Sequence, residues 1–159
     1  MSSAAIGPIS LHVYTRWWCC RFKRFPEALC QLTSLRFLDF SDNQMFDLPD
    51  SISKLRNLES LLLVFNQLER LPDSICSLSS LHMLWLGNNR LKVLPRRFGQ
   101  LSNLDWGQRH MSSSVIDGNP MDRPPIGVCK NGVDAIARYF AAAGNESADN
   151  SAKNTRRRR

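Results

Sequence analysis

Apolar residues return along this chain in a fixed cycle. Pro26, Pro49, Pro72 and Pro95 lie 23 residues apart, each directly behind an apolar residue: Phe25, Leu48, Leu71 and Leu94. Asn43, Asn66 and Asn89 keep the same spacing, as do Leu35, Leu58, Leu81 and Leu104. With Leu35 as position 1, leucines recur at positions 1, 4, 6, 11, 14, 18 and 21. Those slots hold 19 of the 21 leucines, leaving out only Leu11 and Leu62. Seven slots in 23 would catch about a third of randomly placed leucines, so the period belongs to the chain.

An amphipathic helix is the first rival, because Leu48, Ile52, Leu55, Leu58 and Leu61 step by three or four residues. Proline excludes it, since one proline inside every such helix would cost ~3 kcal/mol each time. Alternation at positions 4 and 6 instead predicts short strands at Leu61-Leu62-Leu63 and Leu84-Trp85-Leu86. A later stretch, Pro72 to Leu78, predicts a short helical return that begins at proline, where the missing N–H is harmless. One such unit has too little apolar surface to offset its ordering entropy, so neighbouring units must stack their leucines into one core. The buried turn after each strand leaves backbone donors and acceptors to satisfy. Asparagine supplies both functions in one short side chain, which predicts a structural ladder of Asn43, Asn66, Asn89 and Asn119 between adjacent turns.

The run Leu58-x-x-Leu61-x-Leu63-x-x-Asn66-x-Leu68-x-x-Leu71-Pro72-x-x-Ile75-x-x-Leu78 resembles the leucine-rich repeat. Within that group it is similar to the intracellular 23-residue class of Scribble-like, Erbin-like and plant Ras-group proteins. The resemblance is close over residues 35–104 and loose over about 12–143. It implies an α/β fold: a right-handed solenoid in the form of a short horseshoe. Parallel strands would line the concave face, short helical turns the convex face, and a capping helix the C-terminal end. It further implies a non-catalytic adaptor or scaffold in intracellular signal transduction, with a small GTPase, phosphatase or polarity-complex component as protein partner.

The same frame divides the chain into an N-terminal arm (1–11), a repeat domain (12–143) and a basic tail (144–159) expected to be disordered. The repeat domain holds a degenerate first repeat (12–34), regular repeats at 35–57, 58–80 and 81–103, an irregular repeat at 104–130 and a capping helix at about 131–143. In the first repeat Trp17, Cys20, Phe22, Phe25, Leu29 and Leu32 keep phase, with Cys20 in the ladder slot, whereas His12 and Thr15 replace leucines. Such a coil would serve as an edge cap or mark a shortened array. Past Leu104 the frame returns seven residues late at Ile116, so 105–113 reads as an inserted or replaced segment. Gly118-Asn119-Pro120-Met121-x-x-Pro124-Pro125 through Tyr139-Phe140 resembles the terminal repeat and capping helix of the same class. Val133, Ile136, Ala137 and Phe140 share one helical face there, suited to covering the last coil.

Net charge is +7, but Lys153 and Arg156–Arg159 supply five of those charges and leave the body at +2. The arginine end is compatible with nuclear import, an acidic partner or a solvated tail. No apolar run approaches the ~20 residues of a membrane span. Met1–Ser10 lacks the pattern of a secretory signal, and five cysteines make an odd number without framework spacing, so a cytoplasmic or nuclear location with reduced thiols is expected. Cys30, Cys76 and Cys129 all fall at position 19 in repeats two apart, which puts neighbours ~10 Å or more from each other, beyond disulfide reach. No Cys-x-x-Cys occurs and His12, His82 and His110 have no ligand spacing, so no metal site is expected. Cys19-Cys20 beside Trp17, Trp18, Arg21, Lys23 and Arg24 is a weak acylation candidate, because Trp17 and Cys20 already have core slots. There is no phosphate loop, no Gly-x-Ser-x-Gly and no histidine with an identifiable nucleophile and orienting acid. Asp50 and Asp73 suit the first turn of a short helix better than acid–base chemistry. An enzyme is not expected, nor any cofactor.

Function must therefore come from side chains the stack does not use. On each strand, positions 3, 5 and 7 point away from the core and position 8 follows at the rim. The position 5 column reads Arg16, Asp39, Leu62, Trp85. Phe37, Leu62, Val64, Phe65, Met83 and Trp85 would form an apolar patch with Asp39 and Asp42 on one side and Arg90 on the other. Trp, Phe and Met are enriched in interface cores, so this patch, with Trp85 and Leu62 as anchors, is the expected protein-binding surface of a monomer. The alternatives are that Phe37 and Phe65 fold over the rim, or that the segment carrying Trp106 covers them. Nucleic acid or an acidic partner could instead engage Arg16, Arg21, Lys23, Arg24 and the arginine tail, a reading disfavoured by the +2 body. A third reading is an altered product of a longer protein, which would melt without cooperativity.

Overall fold

The computed structural model describes residues 14–17, 20–106 and 115–143. Four three-residue strands, β1 (Tyr14–Arg16), β2 (Phe37–Asp39), β3 (Ser60–Leu62) and β4 (Met83–Trp85), pair in parallel in chain order. Their register advances by one period at each step: Arg16, Asp39, Leu62 and Trp85 lie side by side. Each strand feeds a return through a single 3-10 turn, at Glu27–Gln31, Asp50–Lys54, Asp73–Ser77 and Phe98–Gln100. The first three turns start directly after Pro26, Pro49 and Pro72, whose carbonyls accept the first turn bonds at 3.0–3.1 Å from Leu29, Ile52 and Ile75. Glu27, Asp50 and Asp73 open those turns, as expected for acids near an N-terminus. The fold expected from the repeat is the fold observed.

Between sheet and turns lies one continuous apolar core. Leu35, Leu38, Leu55, Leu58, Leu61, Leu63, Leu68, Leu78, Leu81, Leu86 and Leu91 have no exposed surface. Stacking coil on coil removes these side chains from water, at about 25 cal/mol per Å² of apolar area. In the first coil the core turns aromatic. Phe40 is flanked by Trp17 (6.2 Å), Phe22 (5.6 Å) and Phe25 (5.2 Å). Trp17 is half-buried against the core, but Cys20 is exposed and does not fill the core slot expected for it. No described coil lies on its N-terminal side to cover it.

The asparagine ladder has the geometry its chemistry requires. Asn66 Nδ2 donates to Phe40 O (2.9 Å) in the preceding coil and Leu63 O (3.2 Å) in its own, while Oδ1 accepts Met45 N (3.0 Å). Asn43 does the same with Trp17, Phe40 and Phe22, and Asn89 with Leu63, Leu86 and Leu68. Asn119 reaches back 33 residues to Leu86 O (2.8 Å) and accepts Leu91 N (2.9 Å). The seven-residue delay is thus absorbed within the fifth coil, ahead of its ladder asparagine. Leu86 N and Asn88 N bond to Val115 O (2.8 Å) and Asp117 O (2.7 Å), continuing the sheet ladder in phase. A second asparagine column, unforeseen from the sequence, lies at position 23, where Asn57 and Asn103 donate to Thr33 O and Ser79 O at 2.8 Å.

The C-terminal end is closed by α1 (Ile126–Cys129) and α2, a helix over 133–143. Val133 and Ile136 are buried, and Phe140 packs against the core from the same face. Trp106 is also buried here, edge-on to Phe98 at 5.1 Å, with its indole Nε1 donating to Cys129 O (2.8 Å). It seals the end of the core rather than covering the strand face. The arm at 1–11, the core of the segment at 105–113 and the tail at 144–159 lie largely or wholly outside the described residues, as do Trp18, Cys19, His12 and Arg156–Arg159.

Two substitutions test this construction by thermal denaturation. Asn66→Ala leaves the Met45 N–H buried without a partner, at about 1–3 kcal/mol, and removes one of the two asparagine bonds to Phe40 C=O, so a loss of about 2 kcal/mol or more is expected. A change below about 1 kcal/mol would contradict the ladder. At Gly99 an added Cβ would come within 2.5 Å of the Ala137 Cβ, so Gly99→Ala should cost about 1–3 kcal/mol by lifting α2. Adding Ala137→Gly should restore part of the loss; simple additivity of the two costs would refute the contact.

Candidate functional site

With leucines and asparagines consumed by the stack, the strand face is what remains. Register places Phe37, Ser60 and Met83 in one row and Asp39, Leu62 and Trp85 in the next, on the side of the sheet away from the leucine core. Register makes the strand members of the expected patch neighbours, but they are unequally accessible. Phe37, Met83 and Trp85 are half-buried, and Trp85 also touches the core cluster. Leu62 and Val64 are each only 8% exposed although neither belongs to that cluster, so neighbours on the sheet surface cover them. They form the floor of the patch. Tyr14 extends it beyond β2, with its ring 5.7 Å from that of Phe37.

Asp39, 4% exposed, is held inside the fold. One carboxylate oxygen accepts Arg16 Nε (3.1 Å) and the other accepts the Ser41 backbone N–H (3.0 Å). Its neighbours satisfy it, which makes a buried carboxylate tolerable at this position.

Phe65 differs from every other member. It is 55% exposed and holds φ at +56°. Position 8, just before the ladder asparagine, takes this left-handed conformation in three successive coils: Asp42 (+55°), Phe65 and Asn88 (+54°). Asp and Asn tolerate it because their short polar side chains bond locally, whereas a bulky residue there is strained by about 1–2 kcal/mol. Periodicity could not reveal this strain, since position 8 looks unconstrained in sequence.

The thiols offer no reactive site within the stack. Among the described residues Cys30, Cys76 and Cys129 are buried thiols outside any disulfide, and Cys20 is exposed. Burial pushes the Cys76 and Cys129 thiols up to about 11, with Asp73 adding to the rise at Cys76; burial also raises Cys30. Low-pKa, accessible thiolates are the reactive ones, so these three are packing groups. Among the described residues no group of three His, Cys, Asp or Glu side chains could hold a metal ion, and no helix is long and apolar enough to cross a membrane.

A family profile described as leucine-rich repeat region matches residues 22–115, more than half of the chain. The chain belongs to the leucine-rich repeat family. Among solved structures it is similar to a leucine-rich repeat protein of Leptospira interrogans, at 34% identity and a TM-score of 0.52 over 53% of this chain. It is also similar to the BIR2 ectodomain of Arabidopsis thaliana (26% identity, TM-score 0.50, 65% of this chain) and to a chain of the Arabidopsis BIR3–SERK2 complex (27%, 0.51, 60%). It spans 21%, 52% and 61% of those three chains respectively. Comparison with curated proteins gives no significant match.

The raised thiol pKa values set an alkaline limit to stability. A neutral thiol favoured by the folded state contributes fully below its unfolded value near 9, and the contribution is lost as pH rises toward about 11. The melting temperature should therefore stay level from pH 7 to about 8.5 and fall beyond it. Cys76→Ala should fall less steeply than the parent; parallel slopes would show that the thiol is not the titrating group.

Proposed function

We propose that this leucine-rich repeat chain is a non-catalytic protein-interaction module that docks a partner on its strand face, around Phe65 and Trp85. The observation that supports it is Phe65: strained in backbone, exposed in side chain, and seated beside the apolar floor of Leu62 and Val64. A position that loses stability to conformation and regains only part of it by burial is best explained by a role outside the fold. Half-buried Trp85, Met83 and Phe37 supply the residue types that anchor interfaces, and the floor beneath them needs no reordering on binding. Asp39 positions this surface through Arg16 and Ser41.

The 23-residue period with its Leu-Pro pairs supports the finer reading of a signalling adaptor of the intracellular class, whose partner would be a small GTPase, phosphatase or polarity-complex component. Free cysteines in three buried positions agree with a cytoplasmic or nuclear location.

Phe65→Asn separates this reading from a purely structural one. It should raise stability by about 0.5–1 kcal/mol, because Asn accepts the left-handed conformation, and should weaken partner binding by about 1–2 kcal/mol. Trp85→Ala should weaken binding by a similar or larger amount with the cooperative melt retained. Proximity labelling from the strand face, followed by binding measurements on the proteins recovered, checks both. If Phe65→Asn and Trp85→Ala bind the same proteins as tightly as the parent, the strand face is not the docking surface.

A further inference from the structure

The modest overall charge hides a segregation along the stack. Repeat 81–103 carries Arg90, Lys92, Arg96 and Arg97 and no acid at all, whereas repeats 35–80 carry seven acids against four cations. All four cations of the fourth coil are exposed. Two of them, with Arg70 from the coil before, line a cleft of about 440 Å³ completed by Glu69 and Pro120. The cleft lies on the flank that follows the strands, apart from the strand face. None of these three cations takes part in the ion pairs found among the described residues, which join Arg16–Asp39, Arg36–Glu59, Arg123–Asp122 and Lys130–Asp117.

From this geometry we propose that the cleft formed by Arg70, Arg90 and Lys92 binds a short acidic peptide segment. The backbone bearing the cations is fixed in advance. Arg90 N donates to Leu68 O (2.9 Å), Leu91 N to Asn119 Oδ1 (2.9 Å), and Lys92 O accepts Asp122 N and Arg123 N at 2.8 and 3.0 Å. Cations held on such a frame lose little backbone entropy when an anion arrives. Arginine also offers a planar fork that suits carboxylates.

The neighbouring surface limits the size of the ligand. Arg70 also borders a second cleft of about 420 Å³, whose lining includes Asp47 and Asp50 of the coil before and Asp73. A long polyanion such as a nucleic-acid strand, extending toward the N-terminal coils, would run onto these carboxylates. A segment of a few acidic residues would end before them, and a lysine or arginine following its acids would meet them favourably. Charge order along the flank thus favours a peptide over a nucleic acid.

The test uses the full chain and a full-length variant with each arginine of 156–159 replaced by glutamine, because the tail also attracts anions. Probes are a fluorescent peptide with six consecutive glutamates, its all-glutamine analogue, and a single-stranded DNA oligonucleotide of equal charge. The glutamate peptide should bind both proteins and the glutamine analogue neither. Arg90→Gln with Lys92→Gln should weaken peptide binding at least tenfold, and Glu69→Gln should strengthen it severalfold. Binding should weaken severalfold between about 50 and 200 mM salt. Phe65→Asn should leave it unchanged, so this proposal and the strand-face reading stand or fall separately. Equal peptide affinity in the parent and the Arg90/Lys92 double variant, or loss of binding with the tail variant alone, would overturn the proposal. Tighter DNA than peptide binding, abolished by the double variant, would overturn it in favour of nucleic acid.

Discussion

The whole structure depends on closing a buried turn without leaving its backbone polar groups unsatisfied. After each strand the chain must bend inward where water cannot follow, and an unpaired N–H or C=O there costs free energy comparable to a lost hydrogen bond. One asparagine per coil resolves this by donating to carbonyls of two coils and accepting an N–H from the earlier one. The bonds run between coils, so each coil is complete only when its neighbour is present. The leucines obey the same logic through burial. A stack of this kind gains its stability at interfaces between repeats, which is why a single repeat cannot stand alone.

That dependence also explains how the fifth coil tolerates extra residues. The chain need not keep constant length; it needs Asn119 to reach Leu86 and Leu91, and Val115 and Asp117 to meet the β4 side of the stack. Once those bonds form, the coil is in phase whatever precedes it. Gly118 permits this closure, since at φ +75° it passes so near Asn88 that a Cβ would collide with the asparagine side chain. Trp106 and Phe98 then occupy the end of the core, and α2 covers it. An end left open would expose core side chains and unpaired strand edges to other chains.

The parts legible in the sequence are those imposed once per period. Leucine slots, the asparagine ladder, proline-started turns and the strand register all repeat, so each copy reinforces the reading of the others. Most parts that are not legible occur once, and the left-handed conformation at position 8, which recurs, is hidden because the residue type there changes from coil to coil. Gly99 against Ala137 is a contact between distant segments whose sequences carry no shared pattern. Trp106 reads as part of an irregular segment because its indole finds Cys129 only after α1 is in place. Cys20 occupies a core slot by phase, yet it is exposed while Phe25, Leu29 and Cys30 of the same coil are buried, so phase alone does not fix burial in the outermost described coil. Alternation turns Leu62 and Val64 away from the leucine core, but it fixes only direction; whether a side chain is covered depends on the size of neighbours one strand away. Leu62 lies in one row between Asp39 and Trp85, and side chains of that size, not the period, decide its accessibility.

A repeat architecture of this kind leaves surface chemistry unusually independent of position along the stack. Each coil touches only its neighbours, so a change of exposed charge in one coil need not be compensated in a distant one. The fourth coil can be wholly cationic while the second and third are acidic, because the core beneath all three is the same leucine lattice. The same independence lets Phe65 carry backbone strain that Asp42 and Asn88 avoid at the equivalent position. Ladder bonds at Asn66 hold the turn whatever residue precedes it, so the local penalty does not spread. Stability and recognition are therefore assigned to different positions of the same 23-residue unit: inward slots are fixed by what the adjacent coil demands, and outward slots are free to vary coil by coil.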